Sequence, residues 1–274
     1  MRSVPADLAR HEGLAPAFTA ARTRLGLVLL LFVLAAAGWW WTTDQMRGMD
    51  NGPWTALGTF GWFLAVWVVM MAAMMLPSVS PTVALYARMT QQRSPLSPLL
   101  FTVGYLAAWT GAGVLVFAIA ATVGASSDVF AWDRAGRWVA GAMLVAAAVY
   151  EVTPLKEACL GKCRSPLGFL LGSWRDGRWG AVQMGAKHGA WCVGCCWALM
   201  ASLFALGIMS VVWMAVIAGL IALEKVLPWR RAASRAVAVL LLGIGVLVLV
   251  APGALPGFTT PRDAPMHQMG TMSS

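Results

Sequence analysis

Residues 60–76 read FGWFLAVWVVMMAAMML, seventeen positions without a charge, and the run stops at Pro77. A helix needs about 17–25 apolar residues to cross the hydrocarbon core of a bilayer, so this run is long enough to do so. Reading outward, Leu25–Trp41 is also uncharged and ends on Trp39, Trp40 and Trp41, the aromatic mark of a membrane–water interface. Leu99–Val123 is the longest apolar run. Trp138–Val152 is shorter and carries Glu151 near its end. Residues 191–227 hold two helices with a turn near Gly207, and Ala236–Val250 is closed by Pro252. The expectation is an all-α fold, a polytopic transmembrane helix bundle of about seven spans.

Composition agrees with that reading. Of 274 residues, 59% are hydrophobic and 11% charged, with 15 Trp, 16 Met and a mean hydropathy of +0.72. Soluble domains run near 45–50% apolar and about 25% charged, so a water-exposed globular enzyme is excluded. Disorder is excluded as well, because it requires low hydrophobicity and high charge. The net charge of +9 reflects topology. Sixteen of the 20 Lys and Arg fall in the N-terminal tail, the 77–98 loop, the 153–190 loop and the stretch around 225–235. Arg47, Arg134, Arg137 and Arg262 fall on the other side. The positive-inside rule then places the N-terminus inside and the C-terminus outside a bacterial cytoplasmic (inner) membrane crossed many times. The lipid bilayer is the partner the charge implies, through anionic headgroups, and nucleic acid is not expected.

The chain divides into a cytoplasmic N-terminal tail (1–24), the transmembrane bundle (25–251) with a cytoplasmic loop at 153–190, and an external Met- and His-containing tail (252–274). Ala35–Ala37 imitates a signal-peptide cleavage site, but the leader before Leu25 is long for one and Trp39–Trp41 reads as an anchor. Phe169–Trp174, flanked by Arg175 and Arg178, is expected to lie in the interface as a short amphipathic segment. No Gly-rich phosphate loop is present, so ATP-driven pumping by this chain alone is not expected, and no residue is assigned a catalytic role.

The chemistry sits in sulfur. The five cysteines are Cys159, Cys163, Cys192, Cys195 and Cys196. The cytosol keeps thiols reduced, so structural disulfides are not expected. On a helix turning about 100° per residue, Cys192, Cys195, Cys196 and Met200 share one arc of about 140°, and His188 joins it if the helix already includes that residue. Soft sulfur ligands select Cu(I), Zn or an iron–sulfur cluster. Cys159 and Cys163, one turn apart if helical, form a second pair. The opposing reading is helix packing by the small residues Gly194–Cys196. Met70, Met71, Met74 and Met75 span a similar arc at the cytoplasmic end of their helix, the depth at which the cysteines lie. Met46, Met49, Met266, His267, Met269 and Met272 form an outer set, where thioethers outlast thiols. Met209 and Met214 lie between the two sets, placed either to bridge them or to pack.

Glu151 and Glu224 lie near helix ends. Intramembrane acids mark function by default, and snorkelling or pairing fits equally. Lys225 is placed to neutralise Glu224, and Lys156 to serve Glu151.

Three blocks carry a resemblance. Residues 67–78 (WVVMMAAMMLPS), 156–166 (KEACLGKCRSP) and 192–200 (CVGCCWALM), the last followed by Gly207, Met209, Trp213, Met214, Glu224 and Lys225, resemble the signatures of a bacterial family of predicted metal-binding integral membrane proteins of unknown function. The match covers roughly residues 55–250. It implies metal binding without fixing the metal or the activity, and it leaves out both tails.

The resulting expectation is a membrane protein that binds a transition metal ion, Cu(I) with Zn as the alternative, and takes part in copper transport or delivery. Its metal residues are Cys159, Cys163, Cys192, Cys195, Cys196, Met70, Met71, Met74, Met75, Met200 and His188. A copper chaperone or copper enzyme is the expected protein partner, and an oligomer is left open. Two alternatives stand beside it. One is a membrane thiol–disulfide electron carrier using Cys192–Cys195 or Cys159–Cys163, since a Cys-x-x-Cys spacing permits such exchange. The other is a structural or assembly subunit with inert thiols.

Overall fold

The structure is a computed structural model. It describes residues 6–45, 47, 59–90, 94–124, 136–206, 210–227 and 229–250, with side chains from Leu25 onward except that of Arg230. Among these residues the chain is helical and holds no strand. The helices are α1 (Ala6–Gln45), α2 (Phe60–Thr90), α3 (Ser97–Gly124), α4 (Arg137–Glu151), α5 (Pro154–Arg164), α6 (Pro166–Gly172), α7 (Gly177–Leu206), α8 (Val211–Val226) and α9 (Arg230–Val250).

Each apolar run read from the sequence coincides, over its described residues, with one or two of these helices. Five stretches are long and apolar enough to cross a membrane: Leu25–Gln45, Phe60–Thr90, Ser97–Thr122, Gly177–Leu206 and Arg231–Val250. A sixth arises if α4 and α5, bent by 66° at their junction, count as one broken span. α8, at 16 residues, is shorter than these.

Two boundaries differ from the sequence reading. Pro77 does not stop α2, which runs on through Pro77 and Pro81. A proline removes one backbone donor and frees the carbonyl four residues earlier. Pro81 frees the carbonyl of Pro77, and Ser80 Oγ donates to that oxygen at 2.8 Å. The second difference is α7, which starts at Gly177, well before residue 191, and so takes in His188. Gly177 has φ of +84°, a left-handed conformation that glycine reaches without strain, and it turns the chain into α7. Most of residues 153–190 is accordingly helical, as α5, α6 and the first half of α7.

The broadest interface joins α3 and α7. It is set by glycine. A Cβ at Gly104 would strike the Val182 carbonyl, one at Gly185 the Phe101 carbonyl, and one at Gly189 the Tyr105 carbonyl at 2.7 Å. Small residues that let backbones touch are the usual means of packing helices whose surroundings are as apolar as they are. Trp67 Nε1 donates to the Trp109 carbonyl at 2.9 Å and ties α2 to α3. The outer faces are apolar: Phe32, Val33, Val103, Leu115, Ile119, Val239 and Val246 are all exposed.

Candidate metal centre

The site begins with α5. Thr153 caps this helix, its Oγ1 accepting from Lys156 N at 3.3 Å, and Pro154 opens the first turn with a φ already suited to a helix. At about 100° per residue, Lys156, Cys159 and Cys163 then share one face. Lys156 and Cys159 are buried, and Cys163 is half-buried. Lys156 Nζ donates to Glu224 Oε1 at 2.9 Å, to Glu224 Oε2 at 2.7 Å and to Glu151 Oε2. Arg164, at the far end of α5, donates to the carbonyls of Glu224 (3.1 Å) and Leu227. These contacts bind α5 to α4 and α8 and press its cysteine face onto α7.

On α7 the predicted arc is realised. Cys192, Cys195 and Cys196 are buried free thiols. The Sγ atoms of Cys163, Cys192 and Cys195 lie within 4.8 Å of one another. Cys163 and Cys195 are 3.7 Å apart, and Cys196 Sγ lies 3.2 Å from Cys195 Sγ. A metal about 2.3 Å from three sulfurs in a plane holds them about 4 Å apart. The triad therefore fits a transition metal ion with small side-chain adjustment. Cys159 takes a different place: a Cβ at Gly194 would come within 2.9 Å of its Sγ, so this thiol fills the notch that Gly194 leaves in α7.

Cys192 is the most closely attended sulfur. Lys225 Nζ of α8 lies 3.2 Å from its Sγ, and the Tyr105 hydroxyl of α3 lies 3.1 Å away. The Lys225 ammonium also donates to Ser78 Oγ of α2 at 3.1 Å. A cation in this position would balance the negative charge of a metal–thiolate complex, which is costly among apolar residues.

The ion pairs differ from expectation. Lys156 serves Glu151, as anticipated, and it also takes Glu224, leaving Lys225 for the thiol. Lys225, Tyr105 and Ser78 lie outside the residues that sequence reasoning marks as metal ligands. For Lys225 a signal existed, because an ammonium in an apolar helix needs a partner and its neighbour Glu224 was only one option. Tyr105 carries no signal in sequence.

Met70, Met71, Met74 and Met75 are buried in α2, and Met200 and Met214 are buried as well. Helix α2 reaches the thiols through Ser78, one turn beyond Met74, by way of Lys225. His188 is 3% exposed. It lies between the rings of Phe169, Phe101 and Tyr105, with centroids 4.7, 5.9 and 6.1 Å away, and its Nδ1 has no hydrogen-bond partner among the described residues. Met46, Met49, Met209, Met266, His267, Met269 and Met272 lie outside the described residues.

A family model described as PpoB2 copper chaperone matches residues 64–248. No curated protein and no solved structure matches the chain. The matched stretch covers more than half of the 274 residues and contains all five cysteines. The chain belongs to this copper chaperone family.

Proposed function

We propose that this family member is an integral membrane protein of the bacterial inner membrane that binds Cu(I) as cargo and moves it or delivers it to copper enzymes. The observation that carries the reading is the convergence of three free thiols from two helices, Cys163, Cys192 and Cys195, beside the Lys225 ammonium. Thiolates suit Cu(I), which prefers soft ligands and low coordination. Cys163, Cys192 and Cys195 hold the ion, Cys196 offers a fourth sulfur beside Cys195, and Lys225 balances charge. Zn remains the competing ion for the same donors. The buried methionines of α2, with Met200, supply neutral thioethers for an ion in transit. The apolar outer faces and the long apolar helices support insertion in a bilayer. The Lys and Arg distribution supports residues 1–24 and 153–190 on the cytoplasmic side and 252–274 outside.

The test is Cu(I) competition against a chelator with the purified full-length protein. Single Ser substitutions of Cys163, Cys192 and Cys195 are each expected to weaken binding by more than about tenfold, ~1.4 kcal/mol. Unchanged affinity in all three would remove the site assignment. A second reading, a thiol–disulfide carrier, draws on the 3.7 Å between Cys163 and Cys195. It predicts a trapped mixed disulfide with a thioredoxin-like partner and no dependence on metal.

A further inference from the structure

The ion cluster of Glu151, Lys156 and Glu224 stands apart from the thiols and is not used by the metal reading. All three side chains are buried, with exposures of 0–2%. An ammonium has three protons to donate. Lys156 spends them on Glu224 Oε1, Glu224 Oε2 and Glu151 Oε2. Three of the four carboxylate oxygens are thus satisfied, and the fourth, Glu151 Oε1, has no partner among the described residues. The charges do not balance either: two carboxylates face one ammonium, which leaves one negative charge in a buried place. Unpaired buried charge and unpaired buried oxygen are both costly. A single proton on Glu151 Oε1 removes both deficits at once.

There is a way in for it. A cavity of about 160 Å³ is lined by Glu151, Thr153, Glu157, Arg231, Ser234 and Arg235. It meets the surface at Arg231, whose side chain is 77% exposed and pairs with Glu157 at 3.0 Å. Lys156 of α5 pairs with Glu151 and with Glu224 of α8, and Glu157 of α5 with Arg231 and Arg235 of α9 line the cavity beside Glu151; both arginines are exposed, so they leave the buried negative charge without a buried counter-charge. The remaining neighbour, α7, presents the Gly194 carbonyl to the Tyr150 hydroxyl. The cavity is large enough for several waters.

We propose that Glu151, Lys156 and Glu224 form a solvent-connected binding site for one proton, seated on Glu151 Oε1. Hydronium in the cavity gives its proton to that oxygen and leaves as water, and the triad passes from one net negative charge to neutral. Lys156 shares a helix face with Cys159 and Cys163. Proton occupancy therefore sets the charge at one end of the helix that brings Cys163 to the metal thiols. The proton site itself requires no metal.

Infrared spectroscopy of the metal-free, full-length protein at neutral pH tests the proposal, with the glutamate carboxyls labelled with ¹³C. The chain has four glutamates, Glu12, Glu151, Glu157 and Glu224. The expected result is a protonated-carboxyl stretch that moves with the label, shifts in D₂O and disappears as pH rises. It is lost in Glu151→Gln and kept in Glu12→Gln and Glu157→Gln. Finding only ionised glutamate bands at neutral pH overturns the proposal, as does a protonated band that survives Glu151→Gln. If Glu151→Gln does not fold, the labelled band of the unsubstituted protein together with the two control variants still places the proton on the Glu151–Glu224 pair, and its absence overturns the proposal. Because copper is absent throughout, failure here leaves the metal reading standing, and the converse also holds.

Discussion

Lys156→Met removes the one cation that holds two carboxylates inside the bundle. Methionine fills a similar volume and keeps the helix, so the loss is electrostatic rather than steric. Three hydrogen bonds disappear, two to Glu224 and one to Glu151. Glu151 and Glu224 are then left buried without a counter-charge. Breaking a buried ion pair by removing one partner costs about 3–5 kcal/mol. Against a total stability of about 5–15 kcal/mol, that is enough to destabilise the whole bundle. The local effect is larger still, because α5 is fixed to α4 and α8 through this lysine. Without it the described hydrogen bonds between α5 and α8 are those of Arg164, and Cys163 is held less firmly beside Cys195.

The assay is denaturation in mixed micelles, followed by helicity and by the rate of Cys163 alkylation. Lys156→Met is expected to lose about 3–5 kcal/mol and to alkylate faster at Cys163. The triple variant Lys156→Met, Glu151→Gln, Glu224→Gln carries no buried charge. It is expected to recover most of that loss, since exchanging a whole buried ion cluster for neutral groups is often nearly neutral. A single variant within about 1 kcal/mol of the parent would refute the reasoning, because surface ion pairs contribute only that much.

Three further outcomes follow from the geometry. Gly185→Ala puts a methyl against the Phe101 carbonyl and should cost about 1–3 kcal/mol in the same denaturation assay, whereas Gly219→Ala, with nothing within 4 Å of the added carbon, should cost nothing measurable. Lys225→Met should weaken Cu(I) retention by about tenfold, ~1.4 kcal/mol, at unchanged stoichiometry in chelator competition, because the thiolate charge loses its cation. Loading with Cu(I) should protect Cys163, Cys192 and Cys195 from alkylation, and a chelator should restore their reactivity; Cys159, packed into the Gly194 notch, should respond to neither, as mass spectrometry of the labelled peptides would show.

What could be read from sequence was what depends on neighbours along the chain. Apolar runs located the helices, and the spacing of Cys192, Cys195 and Cys196 placed them on one face. What depends on contacts across the fold was hidden. Pro77 looked like a stop because the hydroxyl of Ser80, which takes up the carbonyl freed by Pro81, leaves no mark in a hydropathy pattern. The first half of α7 looked like loop because Arg178 and Lys187 interrupt it, yet Gly185 and Gly189 are there to press against α3. Lys156 reaches Glu224 across 68 positions, and Tyr105 reaches Cys192 across 87. The cross-helix approach of Cys163 to Cys195 is of the same kind: two cysteine pairs were visible, but not that one member of each would meet.

Charge balance separates the two candidate ions by the protons each releases. Cu(I) with two thiolates carries one negative charge, and Lys225 brings the site to neutral, leaving the third sulfur as a protonated, more weakly held ligand that can exchange with either thiolate. Zn(II) reaches the same neutrality only with all three sulfurs ionised. Metal binding releases the protons of the ligands it ionises. Counted from the all-thiol state, Cu(I) loading should therefore release two protons and Zn(II) loading three. The spare thiol also distinguishes the two ions in function. An ion held by two thiolates and one loosely bound thiol, all within 4.8 Å of one another, can pass to an incoming ligand by stepwise exchange, whereas an ion bound by three thiolates must break a stronger set first. Lys225, 3.2 Å from Cys192 Sγ, neutralises either complex, so the proton count on loading, two against three, is the measurement that separates the ions.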